Sequence, residues 1–430
     1  MSASDEPPLA PADRAPAELR TQRRARAAVG ALFLTNGAVF ANLLTRYPEI
    51  KDDLGLSNAA MGTAVAAFPF GALLAGLAGG ALVHRFRSSR VAVACLLVTA
   101  AAVAVAGAAP TWAALAGAMF VGGAADAVMD VAQNAHALRV QRQYGRSILN
   151  SFHAVWSVEA VLGGVMGSVA AGLRVPPPAH LVGTGVLLCL VVLGCYRYLL
   201  PGPENAERSS RLPIEEPLDP EATGRGNQGT RTSSPRSVGR PLLTTLSGAL
   251  LALGVIAAGG GVVEDAGASW GAIYLSDSLG AAPAVAGLAF VSLQGMQFVG
   301  RVLGDRLVDR HGQRRVARAG ALITTVGMSV ALLAPTTATT LAGFGAAGLG
   351  VATLVPAAMH AADELPGLSP GTGLTVVSWL LRVGFLLFPP IIGAVADAVS
   401  LRAGLLVVPL AGLTVLALSR QLDDRPARAA

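Results

Sequence analysis

The stretch GDRLVDRHGQRR (residues 304–315) has a weaker copy, GGALVHRFRSSR, at residues 79–90. The two copies lie 225 residues apart, and each follows the second long apolar run of its half of the chain. The same offset aligns GGAADAVMDVAQNA (122–135) with AGLGVATLVPAAMH (347–360). A repeat on this scale predicts that the chain is built from two related halves.

The composition is that of a membrane protein. The chain has 430 residues, of which 53% are hydrophobic and only 13% are charged, whereas a soluble domain carries about 25% charge. Apolar runs of about 18 to 25 residues recur, which is the length that a helix needs to cross the hydrocarbon of a bilayer. The predicted spans are 28–47, 60–83, 91–109, 112–138, 150–173, 180–200, 242–275, 283–304, 316–334, 338–361, 371–398 and 402–420. We therefore predict an all-α membrane protein with twelve transmembrane helices in two pseudo-symmetric six-helix bundles.

The basic residues predict which loops lie inside the cell. Of the 32 arginine and lysine residues, 27 lie in the two tails, the middle of the chain and alternate loops, or at the span ends that border them. Such an excess marks the cytoplasmic side, so we expect a multi-pass protein of the cell inner (plasma) membrane with both termini cytoplasmic. The predicted domains are a cytoplasmic N-terminal tail (1–27), a first bundle (28–200), a cytoplasmic linker (201–240), a second bundle (241–420) and a C-terminal tail (421–430).

The fourth predicted helix carries polar residues in apolar surroundings. Asp126, Asp130 and Asn134 are four residues apart, and Gln133 lies three beyond Asp130. At about 100° per residue, these side chains form one stripe along the helix. A charged Asp near the centre of a bilayer costs roughly 2.5–3.5 kcal/mol, so this face must meet protein or water. We predict that the stripe faces a central cavity and that Asp130, with Asp126 beside it, binds the coupling proton.

Other spans also contain polar or aromatic residues that could line the same cavity. The candidates for proton coupling are Asp130, Asp126, Glu159, Glu264 and Asp265. The candidates for the wall of the substrate cavity are Asn36, Gln133, Asn134, His153, Trp156, Trp270, Trp379 and Arg382. Glu159 and Arg382 lie in equivalent helices of the two halves, and we expect them to form an ion pair across the central cleft because buried charges are usually paired.

The repeated loop resembles a signature of the major facilitator superfamily, Gly-x-Leu-x-Asp-Arg-x-Gly-Arg-Arg. The matching positions are Leu307, Asp309, Arg310, Gly312 and Arg314. In the first copy His84 stands where the signature has Asp, and Arg87 stands where it has Gly. The resemblance implies that the loop Asp309, Arg310, Gly312 and Arg314 acts as a conformational switch, in which ion pairs of Asp309 and Arg310 hold one state.

Three further segments resemble the fucose-permease-like sugar permeases: DAVMDVAQNA, GRSILNSFHAVWS and EDAGASWGAIYL. This resemblance implies that Asp130 is the acidic residue associated with proton-linked sugar transport and that Asn134 is its neighbouring amide. The chain departs from those permeases in one place, because Asn134 is followed by Ala135 and not by proline.

These patterns predict a secondary active transporter that moves a small solute by alternating access, with proton coupling. A proton-antiport efflux pump for a drug or metabolite is the alternative, and a non-transporting membrane sensor or membrane-embedded enzyme is a more distant one. The only lysine is Lys51, so no Gly-x-x-x-x-Gly-Lys-Ser/Thr phosphate loop is present, and His-Glu-x-x-His is absent. We expect no enzyme activity, cofactor, metal or nucleic-acid partner; the expected partners are a small-molecule solute, protons and the lipid bilayer, and the expected state is a monomer.

Overall fold

The computed structural model describes residues 16–144, 148–202, 240–365, 368 and 372–422. Its long helices are α1 (Pro16–Leu44), α2 (Asn58–Gly76), α3 (Ser88–Gly107), α4 (Trp112–Tyr144), α5 (Leu149–Gly172), α6 (Pro177–Tyr196), α7 (Arg240–Asp265), α8 (Leu288–His311), α9 (Gln313–Leu333), α10 (Thr337–Val351), α11 (Thr372–Ala398) and α12 (Val407–Leu418). Shorter helices extend some of them: Gly79–Phe86 follows α2, Leu354–Asp363 follows α10 and Leu401–Gly404 precedes α12.

The predicted fold class is confirmed. Eleven helices of the described chain are long and apolar enough to cross a membrane. The twelfth is α5, whose described side chains form a shorter apolar segment, Val158–Gly172. The described residues contain no strand. Because lipid offers no hydrogen bonds to the backbone, helices satisfy those groups within each span.

Some helix boundaries differ from the hydropathy prediction. Helix α1 begins at Pro16 and not at residue 28, and α4 continues to Tyr144. Arginine, alanine and glutamine are good helix formers, so a helix can extend beyond its apolar segment. Most of the predicted linker (203–239) and the end of the predicted tail (423–430) lie outside the described residues.

The two halves meet along two helix pairs. Helix α2 packs against α11, and α5 packs against α8. At Gly62 of α2, an added Cβ would overlap the carbonyl oxygen of Pro389, and at Gly164 of α5 it would lie 2.7 Å from the ring of Phe290. Small residues allow this close approach of transmembrane helices. These contacts lie toward the membrane face opposite the linker, which we call the far side.

The repeat predicted from the sequence also appears in the backbone. Gly312 ends α8 with φ 85° and ψ 152°, and Arg87, 225 residues earlier, has φ 73° and ψ 141°. Both backbone N–H groups bond to a carbonyl four residues before them, Val308 and Val83 respectively. This region of backbone space suits glycine and strains other residues. Arg87 therefore occupies a turn whose backbone conformation favours glycine.

We predict that Arg87→Gly raises the thermal stability of the protein and that Gly312→Ala lowers it. Relief of backbone strain is worth about 1–3 kcal/mol, less the larger entropy of glycine in the unfolded chain. Thermal unfolding of the purified protein in detergent measures both changes. Arg90→Gly, a change at a helical position of the next helix, is the control and should destabilise; equal effects at Arg87 and Arg90 would contradict the role of the turn.

Candidate functional site

The polar stripe of α4 is joined by hydrogen bonds. The side-chain amide of Asn134 donates to Oδ1 of Asp130 at 2.9 Å, and Nε2 of Gln133 approaches the same oxygen at 3.4 Å. Asp130 is exposed, whereas Gln133 is 1% exposed. The structure thus brings three of the predicted residues together, as their spacing implies, and leaves the carboxylate accessible.

Asp126 lies at the junction of three helices. The side chain of Asn36 on α1 lies near its carboxyl group, and Arg382 of α11 interacts with it electrostatically. Nη1 of Arg382 lies 3.7 Å from the point that a Cβ on Gly76 would occupy, and the Cβ of Ala127 lies 3.8 Å from the same point. Arg382 of the second half therefore reaches the α2–α4 contact of the first half.

Glu159 is enclosed between α5 and α1. Its side chain is 0% exposed, and its Oε1 accepts a 2.9 Å hydrogen bond from the backbone N–H of Gly37. Its Oε2 has no hydrogen-bond partner among the described residues. The expected ion pair with Arg382 is not among the salt bridges of the described residues. The physical reason is that Gly37 lacks a Cβ, which lets the carboxyl group lie against α1, while Arg382 turns toward Gly76.

The second half contributes a separate polar group around Glu264. Its Oε2 accepts a hydrogen bond from Nε2 of Gln297 at 3.0 Å, and Gln294 approaches Oε1 at 3.5 Å. Gln297 and Gln294 are both buried. Our sequence reasoning missed these two amides, although their spacing of three residues in the apolar segment SLQGMQF could have indicated a polar helix face.

Asp265 lies where helix α7 changes its winding. Oδ1 of Asp265 accepts a 3.0 Å hydrogen bond from the hydroxyl of Ser269, and Oδ2 is buried without a partner. Residues Ala266–Trp270 form a π-helix, a rare feature that is often found at functional sites. The fully buried Tyr47 of the first half interacts electrostatically with Asp265, and its hydroxyl has no hydrogen-bond partner. No pattern in the sequence predicts this π-helix.

Of the predicted tryptophan and histidine candidates, only Trp270 and Trp379 have described side chains. Trp270 is completely buried, whereas Trp379 is 53% exposed. The side chains of His153 and Trp156 lie outside the described part of the chain. Stacking of these tryptophans on a solute therefore stays a prediction.

The predicted switch loop lies at the linker side. Asp309 and Arg310 are exposed, and neither belongs to a salt bridge of the described residues. Arg314 donates to the carbonyl oxygen of Arg420 at 3.2 Å, which joins the loop to the end of the last span. The described residues therefore do not form the ion pairs implied for Asp309 and Arg310 in this conformation, in which both side chains are exposed.

A pair of opposite charges joins the two halves on the far side. Nζ of Lys51, in the short helix Tyr47–Asp53, lies 2.7 Å from Oδ2 of Asp277. Asp52 lies beside this pair, and its pKa is raised by partial burial and by the negative charge of Asp277. No group of three or more His, Cys, Asp or Glu that could hold a metal ion occurs among the described residues.

Comparison with known proteins identifies this architecture. The family model described as Major Facilitator Superfamily matches residues 29–264 and 251–430. Membrane protein MosC from Rhizobium meliloti is 30% identical over 398 residues, which cover 92% of this chain and 89% of that protein. An uncharacterized transporter, y4wD from Sinorhizobium fredii, is 29% identical and covers 92% of this chain and 97% of its own length.

Solved structures share the fold at low identity. A bacterial homologue of the human lysosomal transporter Spinster, in an inward-facing and occupied conformation, has a TM-score of 0.70 at 16% identity and covers 94% of this chain and 98% of its own. A D-xylose-proton symporter has a TM-score of 0.70 at 14% identity, covering 94% and 100%. The nucleoside transporter NupG has a TM-score of 0.67 at 13% identity, covering 92% and 98%.

Proposed function

This chain belongs to the major facilitator superfamily, and on that premise we propose that it is a proton-coupled secondary transporter of a small polar solute. Membership makes it a multi-pass membrane transporter and not an enzyme. The coupling ion and the solute are what the proposal adds. The fold is shared with a D-xylose-proton symporter, so it is compatible with proton symport.

The enclosed carboxyl group of Glu159 is the observation that carries the proposal. Within the described part of the chain it has one hydrogen bond, from Gly37, and no salt bridge to a basic residue. An ionised carboxylate without a counter-charge in a low-dielectric interior is strongly disfavoured, so Glu159 carries a proton while it is enclosed. When the cleft opens to water, the same group can release that proton.

This assignment changes the order of the coupling candidates. The sequence favoured Asp130, but Asp130 is exposed and accepts a hydrogen bond from Asn134. Water and amide donors stabilise a carboxylate in its charged form. We therefore propose Glu159 as the proton carrier and assign Asp126 and Asp130 to the wall of the solute cavity, where Arg382 supplies the opposite charge.

The solute site follows from where accessible polar groups of both halves meet. Asp130 and Arg382 are exposed on spans that otherwise are largely apolar, which supports a water-filled space between the halves. Both halves supply residues, so we propose that one chain is a complete transport unit, consistent with a monomer.

The experiment is proteoliposome uptake of labelled neutral sugars and nucleosides, with and without an imposed pH gradient. If the uptake of every transported solute is independent of the pH gradient, proton coupling is contradicted. If proton entry instead drives export of the solute, the antiport alternative is favoured.

We also propose that the protein lies in the cell inner membrane with both termini in the cytoplasm, which makes the far side extracellular. The support is the distribution of the basic residues. In a cysteine-free background, a cysteine at Asp53 should react with an impermeant reagent added outside intact cells, and a cysteine at Gly226 should react only after permeabilisation. Labelling of Gly226 from outside would reverse the orientation.

Acidification of the far side should favour its closed state. In this structure the halves are in contact on the far side, which is therefore closed. Burial and the charge of Asp277 raise the pKa of Asp52; Lys51 partly offsets this increase, and repulsion by Asp53 adds to it. An acid whose pKa is raised on closure destabilises the closed state when it is ionised. The free energy of closure therefore becomes more favourable as the pH falls through that raised pKa. Far-side cysteine accessibility should therefore fall from neutral toward acidic pH in the wild type. Asp52→Asn should weaken this pH dependence, whereas an unchanged profile would assign it to other groups.

A further inference from the structure

The first turn of helix α2 is completed by a residue of the other half. Oδ1 of Asp397 accepts the backbone N–H of Asn58 at 2.9 Å, and Oδ2 accepts that of Ala59 at 2.8 Å. The next N–H, of Ala60, donates to the hydroxyl of Ser57, the helix's own N-cap residue. The first N–H groups of a helix have no partner within the helix and attract negative charge. Asp397 thus supplies, from α11, both acceptors and the charge that this helix end requires.

The repeat shows that this contact is not a general requirement of the fold. The offset of 225 residues relates Asp397 to Gly172 and relates Ala59 to Ala284. At Gly172 an added Cβ would lie 2.8 Å from the Cβ of Ala284, so the corresponding helix ends meet there through small apolar groups. Of these two related contacts on the far side, only the α2–α11 contact carries a carboxylate.

Neighbouring contacts make the Asp397 bonds sensitive to opening. At Gly393, one turn before Asp397, an added Cβ would overlap the carbonyl oxygen of Asn58. Separation of α2 from α11 on the far side must therefore break both Asp397 bonds at once. The Lys51–Asp277 pair spans the halves on the same side, but it joins two flexible, partly exposed side chains. Asp397 instead binds backbone groups whose positions are fixed by the helix.

We propose that Asp397 is the residue that holds the far side closed, by capping α2 across the boundary between the halves. It acts as a positioning residue of the transport cycle. In the far-side-open state both hydrogen bonds of Asp397 are broken, and the first N–H groups of α2 then bond to Ser57 and to water. This inference depends on alternating access between the halves and is independent of the identity of the coupling ion.

The test measures the population of open and closed states without a solute. Spin labels at Leu173 of the first half and Ser278 of the second, both exposed on the far side, report the opening through their distance distribution. The wild type should be mainly in the short-distance state. Asp397→Ala should raise the long-distance fraction several-fold, and Asp397→Asn, which keeps one acceptor oxygen, should lie between them.

Two further measurements separate gating from folding. Asp53→Asn removes an exposed carboxylate from the same side and, at a fixed neutral pH, should shift the distances far less than Asp397→Ala does. Thermal unfolding and size-exclusion chromatography establish that each variant is folded. If folded Asp397→Ala shows the wild-type distance distribution, or loses thermal stability without any shift in it, Asp397 is only a structural cap and the proposal is overturned.

Discussion

Glu159→Gln is expected to abolish solute accumulation driven by a pH gradient while sparing solute exchange at equal pH on both sides. Glutamine has nearly the same shape as glutamate, and its amide oxygen can still accept the hydrogen bond from Gly37 that Oε1 accepts at 2.9 Å. It cannot bind or release a proton near neutral pH. The α1–α5 contact should therefore persist, and only the coupling should be lost.

The size of this effect follows from the driving force. With one proton per solute, each pH unit across the membrane can sustain about a tenfold solute gradient. In proteoliposomes the wild type should approach that ratio, and Glu159→Gln should stop at equal concentrations on the two sides. Counterflow of labelled against unlabelled solute, with no pH difference, should continue in the variant.

Two comparisons make the Glu159 result specific. Asp130→Asn changes an exposed acid of the cavity wall and should alter solute affinity while retaining accumulation. The infrared carbonyl band of a protonated, enclosed carboxyl group should be present in the wild type and missing from Glu159→Gln, a readout that needs no solute. Full gradient-driven transport by Glu159→Gln would transfer the coupling role to Asp126, Asp130, Glu264 or Asp265.

Gly37→Ala is expected to disrupt the same contact by a steric route and to lower both stability and coupling. The added methyl group would overlap the carboxyl group of Glu159. Displacing that group loses a hydrogen bond to a charged or polar partner in a buried site, at a cost of about 1–3 kcal/mol. Thermal unfolding should therefore shift to lower temperature, and pH-driven transport should fall with it.

Gly30 provides a matched control on the same helix. An added Cβ at Gly30 meets nothing within 4 Å. Since alanine is favoured over glycine inside a helix by roughly 0.5–1 kcal/mol, Gly30→Ala should be neutral or stabilising. The double change Gly37→Ala with Glu159→Ala creates room for the methyl group and should recover part of the stability without restoring coupling. Equal effects at Gly30 and Gly37 would contradict the proposed contact.

Much of the fold was predictable because its causes are local to each segment. The spans could be read from runs of apolar residues, since a helix must match the thickness of the bilayer. The two halves could be read from the repeat of GDRLVDRHGQRR, and the same repeat recurs in the backbone at Arg87 and Gly312. The stripe of Asp126, Asp130 and Asn134 was also predictable, because spacing along one helix fixes which residues share a face.

Pairings between helices were not predictable in the same way. The sequence suggested that Glu159 meets Arg382, but Glu159 accepts a bond from the backbone of Gly37, and Arg382 lies near Asp126. A backbone N–H leaves no signature in a sequence, and a glycine such as Gly37 does not reveal which side chain will occupy the space beside it. The pairing of Gln294 and Gln297 with Glu264 was not predictable either, because these amides lie on another helix.

The sequence by itself thus determined the class of protein, its twelve spans and the polar face of α4, all of which depend on composition and on spacing within single helices. Only the tertiary structure decided that Glu159 is enclosed with no salt-bridge partner among the described residues and that Asp397 caps a helix of the opposite half. Both depend on distances between segments more than a hundred residues apart, and those distances are set by how closely glycine-containing helix faces approach.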